Sequence, residues 1–347
     1  MHVADFDFDL PPDLIAQKPP AHRGSSRLLV LERQSGAITH TTISELPGWL
    51  KRGDLLLVNN TKVMPARLLG RRVPSGGSVE CLLLGRLDDE RWEALVHPGQ
   101  KLRPGDRVEF GDPPALAAEI LERRFFGRRT IRLQAHGGRD VMDVIEAIGH
   151  VPLPPYIRRP DEVDDRERYQ TVFARVTGSV AAPTAGLHFT RPLLENLRAH
   201  GVERAEITLH VGYGTFKPVR SERVEDHVVD PETFSIDGSA ATAINRAREE
   251  MRRIITVGTT TVRTLEAAVR QSRGRIEPSG GLVDLFIYPG FEFLATGALL
   301  TNFHLPRSSL LMLVCAFAGR DRILAAYNEA IVRGYRFYSY GDAMLIV

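Results

Sequence analysis

Ile254-Ile-Thr-Val-Gly-Thr-Thr-Thr-Val-Arg-Thr-Leu-Glu266 is the stretch that sets the architecture. Its β-branched start reads as a strand over 254–257, Gly258 as a turn, and residues 262–272 as a helix that the threonines can cap. The same alternation repeats on both sides. Helix 191–200 precedes strand 204–211, and helix 238–252 precedes the quoted strand. A strand Val283–Tyr288, a helix over 308–318, a helix over 321–333 and a terminal strand Ala343–Val347 follow. Strands alternating with helices predict a layered α/β domain with a mainly parallel sheet. Toward the N-terminus, Arg27–Glu32 and Leu55–Val58 are continuous apolar runs, as expected of strands covered on both faces.

Between Ala66 and Gln134 the texture changes. Short segments at 66–73, 78–86, 91–97, 107–110, 116–122 and 129–134 are separated by turn signals such as Pro74-Ser-Gly-Gly77 and Pro104-Gly105. Closely spaced strands with no helix between them predict a small barrel. The fold class is therefore α/β: a discontinuous layered α/β main domain, residues 1–65 and 149–347, with an inserted small all-β barrel domain, residues 66–148. The arginines of the barrel, Arg123, Arg124, Arg128, Arg129 and Arg132, suit either phosphate contact or a solvated strand edge.

At 347 residues, with 43% hydrophobic and 25% charged residues, the chain is of ordinary globular composition. A net charge of +2 neither demands nor excludes a polyanionic partner. The two cysteines, Cys81 and Cys315, sit in apolar runs and read as buried thiols of a reducing compartment. The acidic N-terminus lacks the pattern of an export signal, and the apolar run Leu310–Ala318 is far below the ~20 residues of a membrane span. A cytoplasmic monomer with no membrane association is expected.

Several loops carry unusual chemistry, and in open α/β sheets ligands sit at the carboxyl ends of strands. Ala181-Ala-Pro-Thr-Ala-Gly-Leu-His-Phe-Thr190 feeds the helix over 191–200. Thr184 and Gly186 allow close backbone approach, and His188 is the group there that exchanges a proton near neutral pH. A tight turn with a core histidine is the competing reading. Leu209-His-Val-Gly-Tyr-Gly-Thr-Phe-Lys-Pro218 offers His210, Gly212, Gly214, Thr215 and Lys217, or else an ordinary glycine turn. Thr259, Thr260 and Arg263 at a helix start suit a carboxylate or phosphate, against simple capping. Asn302 and His304 precede the helix over 308–318 in a loop able to face a ligand. His227 and Glu232 form either an acid/base pair or a surface turn. No Walker loop, nucleophile elbow, Gly-x-Gly-x-x-Gly turn or metal-ligand spacing is present.

Together these stretches closely resemble the S-adenosylmethionine:tRNA ribosyltransferase-isomerase family of queuosine biosynthesis. The similarity includes Phe6-Asp-Phe-Asp-Leu-Pro11, Ser26-Arg-Leu-Leu-Val30, Pro65-Ala-Arg-Leu68, Pro152-Leu-Pro-Pro-Tyr-Ile157 and Glu167-Arg-Tyr-Gln-Thr-Val172. It continues through Ala181–Phe189, Leu209–Phe216, Val257–Glu266, Thr301–Pro306 and Tyr335-Arg-Phe-Tyr-Ser-Tyr-Gly-Asp-Ala-Met344. Three places depart from the family pattern. Arg23-Gly-Ser-Ser-Arg27 stands for Arg-Asp-x-Ser-Arg, and Asn59-Asn-Thr-Lys62 stands for Asn-Asp-Thr-Arg. His227-Val-Val-Asp-Pro-Glu232 stands for His-x-Met-His-x-Glu, with Asp230 in the second histidine's place.

The resemblance implies transfer and isomerisation of the ribosyl part of S-adenosylmethionine, a co-substrate, onto the aminomethyl group of a 7-deazaguanine at the wobble position of tRNA. Adenine and methionine leave, and no metal is needed. It implies catalytic roles for His188, His227, Glu232 and His304. His188 would handle a proton, Glu232 and His227 would meet cationic amines, and Arg263 with the Gly258–Thr261 turn would hold a carboxylate or phosphate. Tyr169, Phe189 or Phe303 would stack on a base, and Arg67 joins the substrate-binding set. The tRNA anticodon loop is the implied partner, held by the barrel. An S-adenosylmethionine-dependent RNA methyltransferase and a non-catalytic RNA-binding protein are the alternatives; the low aromatic content of 7% weighs against the second.

Overall fold

Leu55–Asn59 is buried at all five positions and is an interior strand of the main sheet. A computed structural model describes residues 1–216, 219–272 and 274–347. Among them, nine strands form one sheet in the order Ser279–Val283, Glu232–Ile236, Glu203–Leu209, Leu55–Asn59, Ile254–Val257, Ala298–Asn302, Ala343–Ile346, Arg27–Leu31 and Ile38–Thr42. Successive side chains alternate between faces. Leu28, Val30, Leu56 and Val58 meet Phe189, Leu193 and Leu197 on one face. Leu29 and Leu31 point to the opposite face, which helices Ser309–Ala318 and Arg320–Val332 cover. Leu55 and Leu57 lie on that same face, beneath helices Gly238–Glu249 and Thr259–Gln271. Each leucine so buried contributes about 1.5–3 kcal/mol relative to exposure.

The sheet is mixed. Glu203–Leu209, Leu55–Asn59, Ile254–Val257 and Ala298–Asn302 run parallel, while Ala343–Ile346 returns antiparallel to Ala298–Asn302. The expected mainly parallel sheet is thus limited to these four strands and the parallel pair of Ala343–Ile346 with Arg27–Leu31. The apolar run at 283–288 is not the strand it resembles: pairing stops at Val283, and Ser279–Val283 is the edge strand. Glu232–Ile236 and Ala298–Asn302 are strands where the sequence suggested loop.

Six strands, Arg67–Val73, Ser78–Arg86, Arg91–His97, Arg107–Phe110, Leu116–Arg123 and Arg128–Ala135, close into an antiparallel barrel. Trp92, Phe110 and Ile131 fill its interior, and Val144 and Ile145 of helix Val141–Ile148 join that core. Closure removes the exposed strand edges that a small sheet would otherwise present. Arg67 and His150 exchange both backbone hydrogen bonds, 3.2 and 2.8 Å, where the chain enters and leaves this segment. No helix among the described residues is long and apolar enough to cross a membrane.

One tight approach lies beside the sheet centre. Gly178, at φ +153°, faces the His210 ring, and a Cβ there would lie 2.7–2.9 Å from three ring atoms. Gly178→Ala is expected to cost about 1–3 kcal/mol by overpacking. Urea titration checks this, and an unchanged midpoint would show that the ring moves aside without penalty.

Candidate active site at the strand ends

All four parallel strands end at one edge, and two adjoining clefts open there. The first, of about 500 Å³, is lined by Thr184, Gly258–Thr260, Asn302, His304 and Tyr338 among others. The second, of about 620 Å³, is lined by His227, Asp230, Glu232 and Arg263. Thr215 and Leu310 belong to both walls.

Gly258 caps the helix Thr259–Gln271 with φ +87°, a conformation that favours glycine. The helix dipole therefore points its positive end into the first cleft. Thr261 bonds back to the Val257 carbonyl at 2.7 Å, but Thr260 Oγ1 is buried without a partner. Asn302 is anchored by its amide Nδ2, which donates to the Tyr338 carbonyl at 2.9 Å, while its Oδ1 is buried and unpartnered. Tyr338 holds φ +73°, unusual for an aromatic residue, and its ring meets Tyr156 edge-on at 4.0 Å. Such strain persists where surrounding structure over-determines it, often at functional sites. Tyr156 and Tyr338 both line the cleft and were missed in the sequence, where nothing distinguishes them from the other tyrosines nearby.

His304 is buried, with Nε2 2.8 Å from Thr301 Oγ1 and its backbone N–H donating to the Tyr327 hydroxyl. Burial lowers its pKa to about 3. His188 does not line either cleft. It lies buried behind the first one, with Nδ1 2.9 Å from Ser26 Oγ and Nε2 unpartnered. Burial lowers its pKa to about 4, against the Asp342 charge and the Asn302 side chain, which both raise it. Both imidazoles are therefore neutral at physiological pH. His188, for which the family resemblance implies a proton-handling role, is thus set back from both cleft surfaces.

In the second cleft, Glu232 is fully engaged. Its Oε1 accepts from the Gly212 N–H at 2.8 Å and Thr215 Oγ1 at 3.3 Å, and its Oε2 meets Arg263 Nη1 at 2.6 Å. Arg263 Nε donates to the Leu285 carbonyl, while Nη2 is buried without a partner. Both members of this ion pair are nearly buried, at 11% and 4% side-chain exposure, so the carboxylate is neutralised inside the protein. His227 packs edge-on against Phe286 at 5.0 Å, on the same wall. Asp230 pairs with Arg128 of the barrel at 2.9 Å, and Gly214 passes so close that a Cβ would lie 2.8 Å from its carboxylate. The residue that departs from the family pattern thus ties the barrel to the cleft wall.

Other expected residues lie elsewhere. Arg67 is on the barrel, locked to Glu80 by two bonds of 2.8 and 3.0 Å, and reaches neither cleft. Tyr169, Phe189 and Phe303 are core side chains, Tyr169 edge-on to Tyr340 and Phe303 among Tyr327, Tyr335 and Phe337, so none presents a face for stacking. His210 bonds Thr61 Oγ1 at 2.8 Å, and Gly186 is a packing glycine against Thr171. Arg129 is also buried, donating to the Leu102 carbonyl. Lys217 lies outside the described residues. Among those residues, no group of three or more His, Cys, Asp or Glu side chains is placed to hold a metal ion.

A mixed α/β layer that gathers loops around two joined clefts at its strand ends, with a closed barrel in the same chain, has the site placement of α/β enzymes that bind small polar ligands. The chain belongs to the family described as queuosine biosynthesis protein, whose model matches residues 3–346. It is 51% identical to the S-adenosylmethionine:tRNA ribosyltransferase-isomerase of Heliobacterium modesticaldum and 52% identical to that of Symbiobacterium thermophilum, over 100% of both chains in each case. The crystal structure of S-adenosylmethionine tRNA ribosyltransferase from Thermotoga maritima is similar at 39% identity and a TM-score of 0.56, covering 99% of this chain and 100% of that one.

Proposed function

We propose that this chain transfers and isomerises the ribosyl moiety of S-adenosylmethionine onto the aminomethyl group of 7-aminomethyl-7-deazaguanine at the tRNA wobble position. The products are epoxyqueuosine-tRNA, adenine and methionine. Family membership supports the reaction, and one observation supports its location. Thr260 Oγ1, Asn302 Oδ1 and Arg263 Nη2 are buried without partners on the walls of two joined clefts. Buried polar groups are rarely left so unless a ligand, an ion or water completes them.

Their chemistry sorts the ligand. Asn302 Oδ1 is an acceptor suited to an exocyclic amine, as on adenine, with the Thr260 hydroxyl beside it. Arg263 Nη2 is a charged donor suited to the amino-acid carboxylate, and Glu232 lies beside the matching ammonium. The adenosyl half would then occupy the first cleft and the methionyl half the second, with the sulfonium near Thr215 and Leu310. Neutral imidazoles and an internally paired Arg263–Glu232 keep positive charge away from a sulfonium, which a protonated histidine would repel. The sulfonium acidifies its neighbouring methylene, so a weak base suffices there. His304 is the imidazole on the wall of the first cleft, and His188 lies buried behind it.

Incubation of labelled S-adenosylmethionine with precursor-modified tRNA, followed by mass analysis, should yield adenine and methionine. S-adenosylhomocysteine and a methylated RNA would establish the methyltransferase instead. Thr260→Val separates ligand binding from folding. Its hydroxyl has no protein partner, so stability should hold or rise slightly, while the KM for S-adenosylmethionine should rise by about 5–10-fold for one lost hydrogen bond. An unchanged KM removes Thr260 from the site.

A further inference from the structure

Arg123-Arg-Phe-Phe-Gly-Arg-Arg129 joins two barrel strands, Leu116–Arg123 and Arg128–Ala135, by a short turn. Its arginines do different things. Arg129 is buried beneath the turn and Arg128 bridges Glu93 and Asp230. Arg123 and Arg124 stay exposed: Arg124 has only a loose contact with Glu122 at 3.5 Å, and Arg123 makes no ion pair among the described residues. Between them and the glycine turn stands Phe125, 86% exposed. It forms one side of an open groove whose other walls include Leu95, Val96 and Gly99. Gly127, at φ +81°, lets the turn close down until a Cβ on Gly99 would lie 3.3 Å from its Cα, so part of the groove is backbone.

A ring this exposed adds little to folding, and here it stands between arginines rather than alone. Flanked by two arginines, it matches the elements of single-stranded RNA recognition: a ring for a base to stack on and cations for the phosphates either side. The position matters as much as the chemistry. Arg128, three residues beyond Phe125 and so at most ~11 Å along the chain, is bonded to Asp230 on the wall of the second cleft. A base held at Phe125 would be close to the nucleotide being modified.

We propose that the Arg123–Gly127 turn docks the substrate RNA by stacking Phe125 on an unpaired base near the modified nucleotide, with Arg123 and Arg124 on its phosphates. This rests on the reading that tRNA is the substrate. A duplex offers no such base, so the surface selects a loop over a stem.

The test uses the full chain, a fluorescent RNA hairpin with an anticodon-type loop, and a blunt duplex of the same stem, titrated by anisotropy at several salt concentrations. Phe125→Ala should weaken hairpin binding by about tenfold or more and leave duplex binding and the salt slope unchanged. Phe125→Trp should retain hairpin affinity. The double variant R123E/R124E should weaken both RNAs and flatten the salt slope by about 1.4, at ~0.7 per phosphate on a single strand. Wild-type hairpin affinity in Phe125→Ala, with the wild type active on tRNA, overturns the stacking assignment alone. A salt slope unmoved by the double variant overturns the role of the arginines. A wild-type chain that binds neither RNA overturns this inference and the tRNA reading together.

Discussion

Glu232→Ala is expected to destabilise the protein by about 3–5 kcal/mol, because it leaves the Arg263 guanidinium charged and buried with no counter-ion. The variant also releases the Gly212 N–H and the Thr215 hydroxyl, which now converge on one carboxylate oxygen. Three segments far apart in the chain, at 212–215, at 232 and at 263, would lose their common anchor. Arg263→Met should cost a similar amount for the mirror reason. The double variant Glu232→Leu with Arg263→Met tests the origin of the effect. Replacing a buried pair by apolar residues of similar size is often neutral, so it should recover most of the stability lost by either single change. Turnover should not recover, since the proposed carboxylate and ammonium contacts are gone. Calorimetry and a product assay on the same preparations separate the two. Full activity in the double variant would reduce the pair to a structural clamp and remove the methionyl half from this cleft.

How far the sequence announces this arrangement depends on whether the signal is local. The barrel strands are legible nearly to the residue, because each is short and alternates, and most meet Gly, Pro or Asp within two residues of their end. Leu55–Asn59 is legible as a strand covered on both faces because all its side chains are apolar up to the polar turn. The run Val-Asp-Leu-Phe-Ile-Tyr at 283–288 misleads, since aromatic and β-branched residues there serve the walls and floor of a cleft: Leu285, Phe286 and Ile287 line the second one. Ser279-Gly-Gly-Leu-Val283 pairs instead, a composition weak in strand propensity that only its neighbour Glu232–Ile236 makes sense of. The strand-to-helix turn at Gly258 is readable from φ-tolerant and capping residues alone. That His188 faces inward is not, because its partner Ser26 lies 162 residues away and its burial comes from packing. Nor does the sequence reveal that Glu232 and Arg263 pair, 31 residues apart, or that Phe125 is exposed while Phe189 is not.

The two buried imidazoles make a prediction about acid that no exposed histidine would. His188 and His304 have folded-state pKa values lowered to about 4 and about 3, from an ordinary value near 6.5, with burial as the main cause. For a base, a lowered folded pKa means that the native state binds fewer protons than the unfolded chain at intermediate pH. Their contribution is therefore complete above pH ~6.5 and is lost as pH falls through that value toward the folded pKa. Within that window stability should fall by about 1.4 kcal/mol per pH unit for each histidine, or about 2.7 kcal/mol per unit for both. Carboxylates act lower. Asp165 is pushed up by burial but held below its usual value on balance by Arg159, the Glu162 N–H and Tyr340, so its loss comes only in stronger acid. Denaturant unfolding measured at intervals from pH 7.5 to 4.5, wild type against His304→Gln, checks the assignment. The variant starts less stable but should show a slope shallower by about 1.4 kcal/mol per pH unit, because one proton-linked group is gone while His188 and His210, both lowered by burial, remain. Parallel curves for the two proteins would mean that His304 titrates alike in the folded and unfolded chain, and the depression of its pKa by burial would have to be given up.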